Sequence, residues 1–358
     1  MWRLLPPTSA VPVPSLAGSC HALRRRGVDH GVLTPADDIA ITLPDADLAT
    51  AWARGEPIAL PGHLAPALPT AQPWIDESLA LFAYCRDGGR FLDAVLALLE
   101  DHPEFRPEGS TVDLLEPREI EKVFVSGLTD GKRARGGRDI WAKLAWIAHD
   151  DADESLRVRF SCGAEQLHDW HENVAGQRWS DQLAETIFPE GLLLARDETL
   201  QELLGSLLGG PARLSERIVY SNAPGGGAVF HHDADPTQRA VLYAQMAGST
   251  AWLALPQDEL ALQIAEHAAA LSLADLPSTP DAARAALADE GHAALFELIN
   301  ANPAFTARLV AAGWLSVLEP GDVLLLPSPS PTVCAWHSVF ALGDTPSLAH
   351  SYGVFADS

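Results

Sequence analysis

Short segments rich in β-branched and aromatic residues, separated by glycine, proline and aspartate, recur from Ser155 to the C-terminus. Such segments are typical of strands, and a series of them favours a sandwich or barrel over a parallel α/β sheet. The sequence therefore predicts a mainly β domain over residues 152–358. The nine segments are SLRVRFSCG, RIVYSNA, AVFHHD, RAVLYAQMAG, TAWLALP, LSVLEPG, DVLLLP, CAWHSVFAL and SLAHSYGVF.

Two regions carry a helical pattern instead. Residues 257–313 are rich in Ala and Leu at helical spacing, and Ser278 or Thr279 precedes a proline that can open a helix. We expect a helical insertion there, between two strands of the β domain. Residues 1–151 show helical spacing from Trp74 to Asp101. We expect this N-terminal region to be mostly α-helical and to pack on the β domain, because no long linker separates them.

Composition restricts the class of partner and the compartment. The 358-residue chain has a formal net charge of −24, which disfavours contact with phosphate backbones and anionic lipids. No apolar run approaches the roughly 20 residues that span a bilayer, and prolines interrupt the N-terminal apolar residues, unlike those of a secretory signal. The four cysteines are scattered without a CxxC pair. We expect a cytoplasmic protein with reduced thiols and with neither a nucleic-acid nor a membrane partner.

The stretch GGGAVFHHDADPTQR, from Gly225 to Arg239, crowds imidazole and carboxylate groups together. On a strand, residues i and i+2 point to the same face, so His231 and Asp233 should project together. His337, in CAWHSVF, is the candidate for a third ligand. Two histidines and one carboxylate leave three octahedral positions open, which is the arrangement of non-haem Fe(II) oxygenases. A closed four-ligand site would indicate structural zinc instead.

These residues also allow plainer interpretations. His231 and Asp233 can form a surface turn pair, and His337 can be a hydrogen-bonded core histidine. We expect His232 to face away from His231 and to be no ligand. Asp235 precedes a proline and is expected to be a turn residue.

Three further histidines have no assigned role. His168 and His171 lie three residues apart in LHDWHEN, on a predicted helix, and could pair on a metal. Without a carboxylate in register, such a pair is more often a surface feature. His350, on the last predicted strand, can face either the interior cavity or the apolar core.

The second half of the chain resembles the JmjC-like, cupin-type 2-oxoglutarate oxygenases, a group that includes the hypoxia-factor asparaginyl hydroxylase and the ribosomal-protein hydroxylases. In that family an H-x-D motif is followed by a line such as Q-x-x-G-x-K-x-W and a proline, and later by G-D-v-L-x-x-P and W-H. The resemblance covers roughly Arg217 to the C-terminus. The matching residues here are His231, Asp233, Gln245, Gly248, Trp252, Pro256, Gly321, Asp322, Leu324, Pro327, Trp336 and His337.

The resemblance implies a fold, a metal and a reaction. The fold would be a double-stranded β-helix, or jelly-roll barrel, of the cupin type. His231, Asp233 and His337 would hold Fe(II) as the catalytic triad, and 2-oxoglutarate would be the cosubstrate. The family product is usually a hydroxyl group, or a methyl group is lost after hydroxylation. The substrate would be a small molecule or a peptide or amino acid.

One departure from the family concerns the cosubstrate. The family's lysine in G-x-K-x-W binds the far carboxylate of 2-oxoglutarate, and Thr250 stands at that position. A hydroxyl cannot neutralise a carboxylate, so a cation should come from elsewhere. Strand alternation puts Arg239 and Tyr243 on one face, and Ser351 lies near a family position that contacts the cosubstrate. The predicted cosubstrate-binding residues are thus Arg239, Tyr243, Thr250 and Ser351, with Arg157 or Arg159 as alternatives.

Two other functions compete with this one. A non-catalytic, metal-binding cupin-like protein would explain the change to Thr250 as a loss of the cosubstrate. An Fe(II) oxygenase that works without 2-oxoglutarate would also explain it. The acidic charge weakly favours a basic peptide or amino acid as substrate, and a small natural-product precursor fits equally well.

Overall fold

The computed structural model describes residues 3–4, 21–33, 45–113, 120–147, 153–163, 173–273, 275–289, 292–330 and 332–357. The strands in these residues are β1 (Arg3–Leu4), β2 (His21–Arg25), β3 (Val28–Leu33), β4 (Ile58–Leu60), β5 (Phe105–Asp113), β6 (Ile120–Thr129), β7 (Lys132–Arg133), β8 (Ile140–Trp146), β9 (Leu156–Cys162), β10 (Ala212–Asn222), β11 (Gln238–Ala247), β12 (Ser249–Pro256), β13 (Leu315–Leu318), β14 (Val323–Pro327), β15 (Ala335–Leu342) and β16 (Ser347–Ala356). The α-helices are α1 (Asp45–Ala53), α2 (Leu68–Arg86), α3 (Phe91–Leu98), α4 (Val174–Ile187), α5 (Leu192–Ala195), α6 (Glu198–Leu208), α7 (Gln257–Leu271), α8 (Pro280–Leu287), α9 (Ala293–Ala301) and α10 (Pro303–Ala311).

Most strands belong to one large antiparallel sheet. Its order is β1-β4-β14-β11-β16-β10-β9-β8-β6-β5, with β7 paired to β6. A small antiparallel sheet has the order β13-β12-β15. Strands β2 and β3 form a separate hairpin. The antiparallel, sheet-rich architecture agrees with the predicted β domain and has no parallel crossover units among the described strands.

Eight of the nine strand-like segments lie in the strands β9 to β16. The ninth, AVFHHD, makes a single bridge, between His231 and His337. Backbone bonds run on past the bridge, because the Val339 N–H donates to Ala228 at 2.9 Å and the Ala341 N–H donates to Gly226 at 3.0 Å. We term residues 226–233 the ligand segment. It lies against the edge of β15 that is not paired with β12, without forming a regular strand.

The two sheets share one apolar layer. Tyr243 and Leu324 of the large sheet pack in the same buried cluster as Trp252 and Val339 of the small sheet. The large sheet continues past β10 through β9, β8, β6 and β5, so that this side of it is not paired with the small sheet. The described residues therefore form a sandwich-like pair of sheets, and the prediction of a closed barrel is wrong for them.

The N-terminal region differs from the mostly helical region expected up to residue 151. Helices α1 to α3 lie in it, but β5 to β8 follow them and extend the large sheet. The sequence IWAKLAW of β8 is rich in aromatic and apolar residues, which suit a buried strand. Strand β8 pairs with β9 from Ile140 opposite Cys162 to Trp146 opposite Leu156. The domain boundary near residue 151 stays a prediction, and one sheet runs across it.

Helices α7 to α10 lie between β12 and β13, in the stretch for which the sequence predicts a helical insertion. Thr279 caps α8 by accepting a hydrogen bond from the Ala282 N–H at 3.3 Å. Of the two predicted helix starts, Ser278 and Thr279, it is therefore Thr279 that begins the helix. Leu260 of α7 and Phe305 of α10 are fully buried in an apolar cluster with residues of the small sheet. The insertion therefore covers the outer side of that sheet.

No helix in the described ranges is both long and apolar enough to cross a membrane. Cys85, Cys162 and Cys334 are buried and form no disulfide with another described residue.

Candidate metal centre

Two histidines meet across the edge of the small sheet. His231 and His337 exchange both backbone hydrogen bonds, at 3.0 and 2.9 Å. Directly opposed residues of an antiparallel pair project to the same side, and the two imidazole rings lie 4.2 Å apart between centroids. Ligands separated by more than one hundred residues in sequence are thus brought together by a single β-bridge.

Asp233 completes the group. One carboxylate oxygen lies 3.7 Å from His231 Nε2, and the other lies 3.5 Å from His337 Nε2. One ligand atom from each of the three residues lies within 4.8 Å of the others. The predicted i, i+2 relation between His231 and Asp233 is therefore present in space, although the segment is not a regular strand.

The His231 ring is oriented by its own backbone. Its Nδ1 lies 2.8 Å from the Val229 carbonyl oxygen. A carbonyl only accepts, so Nδ1 is the donor here, and Nε2 is the ring nitrogen directed towards Asp233. Metal-binding histidines are commonly held in this way, with the second ring nitrogen donating to a carbonyl or carboxylate.

The other two residues are in the charge states that bind metal. Burial, followed by the nearby His231, lowers the pKa of His337 to about 3, so this ring is neutral at neutral pH. Burial alone would raise the pKa of Asp233, but the nearby His231 and Arg157 help to bring it below its ordinary value. A neutral imidazole and an ionised carboxylate offer lone pairs without losing a proton first.

Three successive glycines make the approach to β15 possible. Gly225 and Gly227 have positive φ angles of 72° and 136°, which favour glycine. A Cβ on Gly226 would lie 2.2 Å from the Ser155 hydroxyl oxygen, and one on Gly227 would lie 2.1 Å from the Val339 carbonyl oxygen. The glycine run thus lets the ligand segment lie directly against its neighbours.

Other residues considered in the sequence lie elsewhere. The His232 ring packs against Trp336, with centroids 4.9 Å apart, and so faces away from the triad as predicted. Asp235 accepts a hydrogen bond from the Thr237 N–H at 2.9 Å, which is a local turn contact. His350 is fully buried and lies 2.9 Å from Glu190, so it faces the core. The pair His168 and His171 falls outside the described residues.

A cavity of about 260 Å³ lies between the two sheets, and the triad forms part of its wall. The cavity leaves one side of the three ligands accessible to small molecules. Its described lining residues are Arg26, Ile147, Arg157, Ile218, Tyr220, Asn222, Ala228, Val229, His231, Asp233, Val241, Tyr243, Trp252, Leu326, His337, Val339 and Ser351.

No protein family and no curated protein matches the sequence in the comparisons made. Among solved structures, the chain is similar to an oxidoreductase of the 2OG-Fe(II) oxygenase family from Burkholderia pseudomallei, with 10% identity, coverage of 89% of this chain and 93% of that one, and a TM-score of 0.32. It is also similar to SnoN, a non-haem α-ketoglutarate-dependent epimerase of nogalamycin biosynthesis (14% identity, 87% and 82% coverage, TM-score 0.32). YcfD, a ribosomal oxygenase from Escherichia coli, matches at 17% identity, with 74% and 42% coverage and a TM-score of 0.22. Likenesses this weak do not decide the chemistry, which has to come from the geometry of the site.

The structure places only two of the four predicted cosubstrate-binding residues on the cavity wall. Tyr243 and Ser351 line the cavity, but Arg239 and Thr250 do not. The Arg239 guanidinium donates to the Pro329 carbonyl at 3.4 Å, and Arg239 is not among the described lining residues, so its assignment as the charge partner stays a prediction that these contacts do not support. Val241 and Tyr243 line the cavity as strand alternation predicts, but the pairing of β11 with β16 is irregular between Gln238 and Ala240, which is where Arg239 lies.

Thr250 is part of a buried hydrogen-bond network. Its hydroxyl donates to Gln245 Oε1 at 2.9 Å and accepts from Trp252 Nε1 at 2.9 Å. The Tyr243 hydroxyl donates to the same Gln245 oxygen at 2.9 Å. Through this network Thr250 supports two cavity side chains, Tyr243 and Trp252, and its role in cosubstrate binding stays a prediction.

Among the described residues, two arginines line the cavity, and one of them was not expected. Arg157 was an alternative in the sequence, and β9 carries it beside Tyr220 of β10. Its neighbour Arg159 lies 3.6 Å from Glu216 and is engaged there. Arg26 comes from the β2–β3 turn, far away in sequence. The basic run before Gly27 was the only sequence signal for it.

Proposed function

We propose that the protein is a non-haem Fe(II), 2-oxoglutarate-dependent oxygenase. The observation that carries the proposal is the group of two imidazoles and one carboxylate, with ligand atoms within 4.8 Å of each other, on the wall of a cavity. Three ligands on one face leave positions for a bidentate cosubstrate and for oxygen, as in facial-triad oxygenases. A structural zinc site would close around a fourth protein ligand.

The donor set fits iron. His231 Nε2 and His337 Nε2 are nitrogen donors with their lone pairs available, and Asp233 supplies an anionic oxygen. Imidazole and carboxylate together suit Fe(II), and no thiolate lies in the group. We propose His231, Asp233 and His337 as the metal-binding and catalytic triad, on a jelly-roll core that the two facing antiparallel sheets support.

Arg157 is the proposed partner for the far carboxylate of 2-oxoglutarate. It lines the cavity on the wall of the large sheet, opposite the triad on the small sheet. Beside it, Ser351 Oγ donates to the Tyr220 hydroxyl oxygen at 3.4 Å. Burial raises the pKa of Tyr220, so its hydroxyl keeps its proton and can donate into the cavity. A guanidinium with a hydroxyl donor is a suitable carboxylate site.

When bound, iron and cosubstrate would supply the oxidising power that breaks a C–H bond, and the protein positions the reactants. Trp252 stacks on His337 with centroids 5.4 Å apart and holds that ring in place. Ile218, Leu326 and Val339 give the cavity apolar walls beside the triad, of which the His231 and Asp233 side chains are 41% and 40% exposed. The product would be a hydroxylated substrate, or a demethylated one, from a small molecule or a peptide or amino acid.

Succinate formation tests the proposed reaction. With Fe(II), oxygen and 2-oxoglutarate, the protein is expected to release succinate slowly without substrate, and the His337→Ala variant should release none. Oxygen consumption that depends on Fe(II) but not on 2-oxoglutarate would favour the oxygenase without this cosubstrate. Metal binding without any affinity for 2-oxoglutarate and without oxygen consumption would favour a non-catalytic metal-binding protein.

Arg157→Ala should weaken 2-oxoglutarate binding by about tenfold or more, since a hydrogen bond to a charged group contributes roughly 1.5–3 kcal/mol. Calorimetric titration of the anaerobic, metal-loaded protein measures this directly. Arg239→Ala is the matched control, because it removes the same charge from outside the cavity. An equal loss in both variants, or a loss only in Arg239→Ala, would contradict the assignment.

A further inference from the structure

The charged side chains that line the cavity outside the triad are positive. Among its described lining residues, Asp233, Arg26 and Arg157 carry charge. Asp233 is committed to His231 and His337, so the remaining charges are both positive. This is notable in a chain whose formal net charge is −24. A cationic substrate would meet two guanidiniums without a free carboxylate.

Arg26 is held at the cavity by the tight turn between β2 and β3. Its φ angle is 49°, and that of Gly27 is 77°, so both turn residues are left-handed. A non-glycine residue with positive φ is uncommon and is held in place by surrounding contacts. Here the Arg26 N–H donates to the Gly225 carbonyl at 3.1 Å, directly before the ligand segment. Its Nε is buried without a hydrogen-bond partner in the described part of the chain.

The hairpin is anchored by Arg25, which is 2% exposed. Its guanidinium donates to the Ala228 carbonyl at 3.1 Å, the Asn300 carbonyl at 2.8 Å and the Ser338 hydroxyl. The same group lies 4.6 Å from the centre of the Phe340 ring. Arg25 therefore fixes the turn to the ligand segment, β15 and the helical insertion, and Arg26 has a defined position.

We infer that Arg26 is a specificity-determining residue that binds an oxyanion of the substrate, and that the substrate is a small anionic molecule. The guanidinium fork matches the oxygens of a carboxylate or a phosphate. The inference rests on the proposed function in one respect. There Arg157 binds the cosubstrate, which leaves Arg26 for the substrate.

Size and position support this assignment. The cavity of about 260 Å³ lies below the roughly 300–1,000 Å³ typical of pockets for drug-sized ligands. It would hold a small acid beside a cosubstrate. Arg26 reaches the cavity from the side of the small sheet, which also carries the triad, whereas Arg157 reaches it from the large sheet. The two guanidiniums are thus placed on different walls, as their assignment to two different ligands requires.

The test uses three probes that share a phenyl group: phenylacetate, its neutral isostere phenylacetamide, and phenyl phosphate. Binding to the zinc-loaded, redox-inert protein is measured by calorimetry, with and without 2-oxoglutarate. We expect one of the two anions to bind at least about tenfold more tightly than the amide, because a charge-assisted hydrogen bond is lost in the amide. Tighter binding of phenylacetate would indicate a carboxylate substrate, and tighter binding of phenyl phosphate would indicate a phosphate substrate.

Arg26→Gly removes the side chain and suits the positive φ angle, so the variant should fold; it is expected to lose the preference for the anion. Arg24→Ala is the control, because Arg24 is in the same hairpin and its side chain is 67% exposed. The inference is overturned if the parent protein binds the amide as well as both anions, or if Arg26→Gly keeps the anion preference. It is also overturned if Arg26→Gly, and not Arg157→Ala, weakens 2-oxoglutarate binding. If the protein binds no 2-oxoglutarate but shows an anion preference that depends on Arg26, the proposed reaction is contradicted and the anion site is supported.

Discussion

Replacing His231, Asp233 or His337 with alanine is expected to abolish stoichiometric binding of a divalent metal. Each variant leaves two ligands of the group whose ligand atoms lie within 4.8 Å of each other. Loss of a residue that merely supports a metal ligand costs about 10–100-fold in affinity, so loss of a ligand itself should cost more than about a hundredfold. Anaerobic calorimetry with Fe(II), and metal content after gel filtration, measure the loss.

His232→Ala is the control for these variants. His232 is adjacent in sequence to two of the ligands, but its ring packs against Trp336 on the other side of β15. The control should bind metal with the affinity of the parent protein. A triple variant of His231, Asp233 and His337 that retained one tightly bound metal would show that the metal site lies elsewhere.

The triad could be predicted from two kinds of signal. His231 and Asp233 are two residues apart on a strand-like segment, and His337 is indicated by the W-H block that resembles that of the JmjC-like oxygenases. The cations of the cavity were harder to find, because Arg157 entered only as an alternative to Arg239 and Arg26 was not considered. Arg26 and Arg157 reach it through the packing of a hairpin and through the order of strands in the large sheet. Neither contact leaves a trace in the spacing of nearby residues.

Arg239 shows a limit of strand periodicity. Alternation gives the face of a strand to which a side chain points, and Val241 and Tyr243 do line the cavity. Alternation holds only where the pairing of the strand is regular. Arg239 lies at an irregularity in the pairing of β11 with β16, and it contacts Pro329.

The fold shows a similar division. Strands β9 to β16 were visible because their residue types and flanking turns favour strands. Closure of a barrel depends on which strand edges meet, and that is a property of the whole assembly. Strands β5 to β8 continue the large sheet past β9, so this side of the sheet does not close onto β15.

Gly227→Ala is expected to destabilise the protein by about 2–6 kcal/mol, through two separate costs. Its φ angle of 136° is one that L-residues rarely adopt, which costs about 1–3 kcal/mol. The added Cβ would also lie 2.1 Å from the Val339 carbonyl oxygen. Val339 is paired with Trp252 in the small sheet and cannot move away freely, and such overpacking costs about 1–3 kcal/mol more.

Denaturant unfolding of the metal-free protein measures this change, and Gly210→Ala is the matched control. Gly210 has no atom within 4 Å of an added Cβ and no positive φ angle that would strain alanine. The control should therefore change the free energy of unfolding by less than about 0.5 kcal/mol.

Equal stability of the two variants would mean that the ligand segment can leave β15 at little cost. In that case the bridge between His231 and His337 could not be what holds the two imidazoles together, and metal itself would have to assemble the site. The expected result is the reverse: the chain positions the ligands before metal arrives, and the glycine run is what permits it.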